Sequence, residues 1–169
     1  MSFKEVYLNY RCPRYELMPS IELYKDQLVS VLSEYMEPFF ADEKLITSSM
    51  INNYVKQKII KPPVNKKYDR EHLAFLYVLC LLKKYVSIEQ IKTGIDFILK
   101  TNRMHKAYDM FCDEFENALQ RVFGRPAIHE EKPVTKELEI IKAVTSGLAS
   151  FVLLSALVNN ISDTDEENK

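Results

Sequence analysis

The chain has only three glycines among 169 residues and no tryptophan. Glycine supplies the turn positions that strand-rich folds use repeatedly. Its scarcity, beside long periodic stretches, argues for a mainly helical fold. Cysteine is equally scarce. Cys12, Cys80 and Cys112 are odd in number and none lies in a C-x-x-C spacing, which argues against a disulfide framework or a structural zinc site. Free, buried thiols suit a reducing cytoplasm, and no apolar h-region of a signal peptide opens the chain. The most apolar run, Gly147–Val158, is short of the about 20 apolar residues that span a bilayer. Also lacking are a glycine-rich phosphate loop, a G-x-S-x-G elbow and an H-E-x-x-H pair. His72, His105 and His129 fall on different predicted elements. No catalytic residue, cofactor or metal site is therefore expected.

What remains is an ordinary globular composition, 47% apolar and 28% charged. The formal net charge of −1 conceals a segregation. Residues 1–47 carry 5 basic and 8 acidic side chains, residues 48–85 carry 8 and 2, and residues 86–169 carry 10 and 14. A basic island between acidic flanks is the electrostatic footprint of a surface for polyanions.

Periodicity lays out the elements. Residues 1–18 read as irregular. Ser20 can cap a helix to about Phe40, with Leu28, Val31, Leu32, Tyr35 and Met36 on one side. A polar connection over 41–45 leads to Thr47 or Ser48, which caps a short helix to about Lys58. Pro62 and Pro63 stop it, and 64–68 forms a basic loop or small hairpin. Asp69 caps a helix through Tyr85 whose apolar residues cover more than one face, so this helix is central. Ser87 and Gln90 form a capping box for a helix to about Lys100. Another helix covers 102–123, and its Asp109, Asp113, Glu114 and Glu116 read as a solvated face. Residues 1–123 thus make one domain. Gly124, Pro126 and Pro133 mark a linker over 124–134, a last helix runs over 135–160, and the acidic residues 161–169 read as a disordered tail. Near-heptad spacing of Leu138, Ile141, Leu148 and Val152 suits either a homodimer seam or packing on the chain's own core.

The short helix carries the chemistry. Ile51, Tyr54, Val55 and Lys58 share one side, which packs; Ser49, Asn52, Asn53 and Lys56 share the other at i, i+3, i+4, i+7. Asparagine amides pair with adenine edges in a major groove, and lysine reaches guanine or phosphate. Ser48 at the helix start, and Lys58, Lys61, Lys66, Lys67, Tyr68 and Arg70 after it, stand where phosphates are held. A helix, a basic wing and a second helix in that order point to double-stranded DNA as the partner.

The stretch TSSMINNYVKQKIIKPPVNKKYDREHLAFLYVLCLLKKYVSIEQI resembles the helix-turn-helix and wing of the MerR family. Ile51 and Tyr54 fall on the Leu and Tyr of that family's recognition helix, and Ile59 and Pro62 on its Leu-x-x-Pro. Tyr68 falls on the last tyrosine of the wing, and 87–91 on the closing signature. Asn52 stands where that pattern has arginine, and Lys58 where it has glycine. With PRYELMPSIELYKDQLVSVLSEYM and AYDMFCDEFENAL, the chain is more closely similar to a bacterial domain family of unknown function related to MerR proteins, over about Pro13 to Leu119. The resemblance implies a mainly α, winged helix-turn-helix fold with a short wing and additional C-terminal helices. It implies a dimeric transcription regulator, and it names no effector. The alternative is a protein-interaction module on the same fold that has lost DNA binding.

Overall fold

A computed structural model describes residues 3–40 and 44–166. Seven α-helices and one two-stranded sheet occur among them: α1 (Phe3–Leu8), β1 (Leu23–Tyr24), α2 (Lys25–Phe40), α3 (Ser48–Lys56), β2 (Lys67–Tyr68), α4 (Arg70–Leu82), α5 (Ile88–Ile98), α6 (Met104–Val122) and α7 (Lys136–Glu166). The protein is mainly helical. It divides into two compact units, Cys12–Cys112 on one hand and, on the other, the residues up to Arg11 with those from Asp113 onward. The division falls inside α6, not at Gly124 where composition places it.

In the first unit, α4 is the core. Ten of its thirteen residues are buried, including Leu73, Leu76, Tyr77 and Leu79. It packs on α2 and α5. Its start is fixed by a capping box: the Asp69 carboxylate accepts from the His72 backbone N–H at 3.0 Å, and the His72 ring accepts from the Asp69 N–H at 3.2 Å. Burial opposes ionisation of Asp69, but the backbone N–H groups of His72 and Glu71 help to leave its carboxyl below the ordinary value. Thr47 caps α3 by accepting from the Met50 N–H, and Ser87 with Gln90 caps α5.

Helix α2 begins at Lys25, five residues after the serine expected to cap it. Leu23 and Tyr24 are instead extended and pair antiparallel with Tyr68 and Lys67. A pair of two-residue strands is too short to show period-2 alternation, so Ser20 offered the only readable start. The segment before it, expected to be irregular, contains α1 and a 3₁₀ turn at Tyr15–Leu17. Of the connection at 41–45, residues 41–43 lie outside the described residues.

Two lysines take left-handed backbone conformations. Lys58 (φ 58°) ends α3 in a Schellman motif: its N–H donates to Val55 O at 3.0 Å and the Ile59 N–H to Tyr54 O at 2.8 Å. Asn65 (φ 50°) and Lys66 (φ 62°) form the two-residue turn between Val64 and Lys67, which exchange both backbone hydrogen bonds. Positive φ at both positions defines a type I′ hairpin turn.

In the second unit, Tyr7 of α1 stacks on Phe123 at 5.7 Å, and Gln120 of α6 donates to Leu8 O. The segment after α6 has no regular structure but is anchored. The buried Asn117 side chain accepts from the Ile128 and His129 N–H groups, both at 2.9 Å, and donates to His129 O. The acidic residues beside it correct the expectation of a solvated face. Glu114 and Glu116 are buried, at 2% and 1% exposure. Glu116 is held by His129 at 2.5 Å, Glu114 lies 3.8 Å from Arg121, and Asp113 meets Lys132 at 2.6 Å. Charged residues are read as exposed by default; Glu116 is compensated by its contact with His129, whereas Glu114 Oε2 is buried without a hydrogen bond among the described residues.

Helix α7 continues through Glu166, past residue 160 and into the segment read as a disordered tail; residues 167–169 lie outside the described residues. By length and composition, Lys136–Asn160 suffices to cross a bilayer, with a window of mean hydropathy 1.9 of which 33% is buried. Counting only Gly147–Val158 missed this, because no charged residue occurs from Ala143 to Ser162. Leu138, Ile141, Thr145, Leu148, Val152 and Ala156 nevertheless form a buried stripe, while Leu154, Leu157 and Val158 are exposed.

Glycine takes the Lys58 conformation without the Cβ–carbonyl clash. Lys58→Gly is therefore expected to raise unfolding stability by about 0.5–1 kcal/mol, measured by urea denaturation. A loss of stability would show that the lysine side chain contributes more than its backbone costs.

Candidate nucleic-acid interface

Helix α3 divides as its sequence requires. Ile51 and Tyr54 are buried, at 0% and 7% exposure, while Ser48, Ser49, Asn52, Asn53 and Lys56 are exposed. The buried side is clamped from α4. Lys83, just past the end of α4, directs its ammonium group at the Leu45 carbonyl, the Tyr54 hydroxyl (3.4 Å) and the Met50 sulfur (3.6 Å). Burial raises the Tyr54 phenol above its ordinary value, so it stays protonated at neutral pH. One cation thus ties the connection before α3, its first turn and its middle to the central helix. The outward side chains are thereby presented on a fixed backbone.

The turn at Asn65–Lys66 joins this face through two residues that sequence reasoning missed. Lys25 Nζ donates to Asn52 Oδ1 at 2.8 Å. Its neighbour Tyr24, 52% exposed, lies under the Lys67 ammonium at 5.4 Å. Asn52, Lys25, Tyr24, Lys67 and Lys66 thus form a continuous path from α3 to the hairpin tip. The link depends on β1 pairing with β2, and no local pattern in the sequence announces that pairing.

Not all the candidate residues share this face. Tyr68 is 4% exposed and packs edge-on against His72 at 5.3 Å, so it belongs to the core. Arg70 is committed inward: its guanidinium donates to Met18 O at 3.1 Å, Pro19 O at 3.5 Å and Glu16 at 3.2 Å, and lies over the Tyr15 ring. Lys61 is exposed but paired with Glu71 at 2.8 Å. That hydrogen bond holds its ammonium charged against burial. Lys58 is exposed at the far end of α3. His72 caps α4, and its ring lies 3.1 Å from Lys61 O.

No group of three or more His, Cys, Asp or Glu among the described residues is placed to hold a metal ion. The cysteines are buried. Burial pushes the Cys80 thiol up to about 12, and it raises Cys112 well above the ordinary range. Neither is a thiolate at neutral pH.

Across the first unit, 15 basic side chains face 12 acidic ones, whereas the remainder of the chain has 8 and 12. The chain belongs to a protein family over this unit. Residues 13–111, more than half of its length, match the family described as Domain of unknown function (DUF1836). The match begins and ends within one residue of the unit's own limits. No curated protein and no solved structure matches the chain.

All three thiols are expected to resist a disulfide reagent in the native protein and to react together only in denaturant. Rapid native reaction of one of them would show an accessible thiol.

Proposed function

We propose that the protein is a DNA-binding transcription regulator of the cytoplasm, with α3 entering the major groove. The observation that carries this is the exposed polar side of α3, Ser49, Asn52, Asn53 and Lys56, set beside a basic hairpin tip. Asparagine offers a donor and an acceptor to adenine, and lysine an ammonium to guanine or phosphate. Ser48, Lys58, Lys66, Lys67 and the newly placed Lys25 are the phosphate contacts. Tyr24 adds an aromatic face beside the backbone. The element order supports a winged helix-turn-helix of MerR type: strand, two helices, a tight hairpin whose second strand pairs with the first, then two helices. Lys58 takes the left-handed conformation that the glycine of the MerR pattern provides. A homodimer would use the exposed apolar end of α7 at Leu154, Leu157 and Val158, and the buried stripe of α7 supports protein packing over bilayer insertion.

The second reading, a protein-interaction module, draws on one feature. Asn52 replaces the arginine of the MerR helix and its Oδ1 already accepts from Lys25, while Arg70 is turned inward. Duplex DNA distinguishes the two. Affinity should fall linearly with log salt, with a slope of roughly −0.9 per phosphate neutralised. Lys66→Glu/Lys67→Glu should weaken binding and reduce the slope by about 2 in a fluorescence-anisotropy titration. An unchanged affinity and slope would remove the hairpin from the interface.

A further inference from the structure

Behind the C-terminal end of α3 lies a cleft of about 700 Å³, contained within the Cys12–Cys112 unit. Its walls come from α3, the Ile59–Pro62 stretch, α4, α5 and the start of α6, with Ile59, Phe75, Leu99 and Met104 supplying apolar surface. Its volume falls in the range that takes a small organic ligand. Lysines supply the cations of its lining: Lys56, Lys58, Lys61 and Lys92. Lys61 pairs with Glu71 and Lys92 with Asp96. Lys56 and Lys58 form no ion pair among the described residues. The lining therefore has four cations against two carboxylates, over an apolar interior.

We infer that this cleft binds a small apolar acid, an acyl or aryl body carrying a carboxylate, with its head at Lys56 and Lys58. The choice follows from charge and shape together. A neutral apolar molecule leaves the two lysines unused, and a cation meets an excess of like charge. A phosphate monoester head carries close to two charges and costs more hydration to seat beside the apolar walls than a singly charged carboxylate, so a carboxylate is the head that fits. Lys56 lies on the α3 face and Lys58 just past its end, and both are proposed DNA contacts, so an occupant would draw them away from DNA. That coupling rests on the DNA-binding reading; the binding site itself does not.

The test is calorimetric titration of the full chain, without DNA, with octanoate, octyl phosphate, octanol and octyltrimethylammonium. Octanoate should bind at one site per chain, at least tenfold tighter than octanol and tighter than octyl phosphate, while the cation shows no saturable binding. Lys56→Glu/Lys58→Glu should remove the preference for octanoate over octanol. Leu99→Glu, away from the α3 face, should weaken octanoate at least tenfold, with folding checked by circular dichroism; Met104→Glu, on the same apolar lining, serves the same purpose if that variant does not fold. Octanol binding as tightly as octanoate, or octanoate affinity unchanged in the folded variants, would overturn the site. Octyl phosphate binding more tightly would overturn the choice of carboxylate. In a DNA titration of the wild type, octanoate should lower affinity. DNA binding that octanoate leaves unaltered would overturn the coupling alone, and an absence of DNA binding would overturn the DNA-binding reading while leaving the octanoate result to stand.

Discussion

The fold depends on one helix that has no solvent side. From Leu73 to Leu82 every residue of α4 except Phe75 is buried. Burying a large aliphatic side chain contributes about 1.5–3 kcal/mol, and a cap contributes about 1 kcal/mol. Burial therefore drives the assembly, and the capping groups at its start decide where the helix begins. A helix buried on all sides needs cover on all sides, which α2 and α5 provide. Lys83 extends its reach to α3.

That requirement also sorts the basic island. Residues close to the start of α4 are drawn into the structure. Tyr68 is buried beside His72, Arg70 secures the segment from Glu16 to Pro19, and the Lys61 carbonyl meets His72. Lysines farther away, at the end of α3 and on the hairpin tip, remain on the surface. An exposed pair such as Lys61–Glu71 adds little stability, so the island's charge serves the surface more than the fold. Arg70, packed at the start of α4, and Lys83, just past its end, are structural, whereas Lys56, Lys58 and Lys66 remain exposed.

The sequence announced what depends on local chemistry. Thr47, Asp69 and Ser87 were readable as caps because each precedes an apolar period, and α4 was readable as central because its leucines occupy every side. The division of α3 into a buried and an exposed side followed from 3.6-residue spacing except at Lys58, which that spacing put on the packed side and which the left-handed turn after the helix leaves exposed. Non-local features were not readable. β1 is defined only by its partner 44 residues later, so Tyr24 and Lys25 were missed. Glu116 looked solvated because its partner His129 lies beyond α6, and Glu114 because Arg121 is two turns on in the same helix, outside the i, i+4 spacing read as a pair. The division inside α6 has no composition shift to mark it.

The central claim is that the exposed side of α3 reads duplex DNA. Selection from a random double-stranded oligonucleotide pool with the purified full chain tests it most directly. The account predicts enrichment of a two-fold symmetric sequence, lost when Asn53 is replaced by alanine. A selected pool no different from the starting pool at low salt would contradict it.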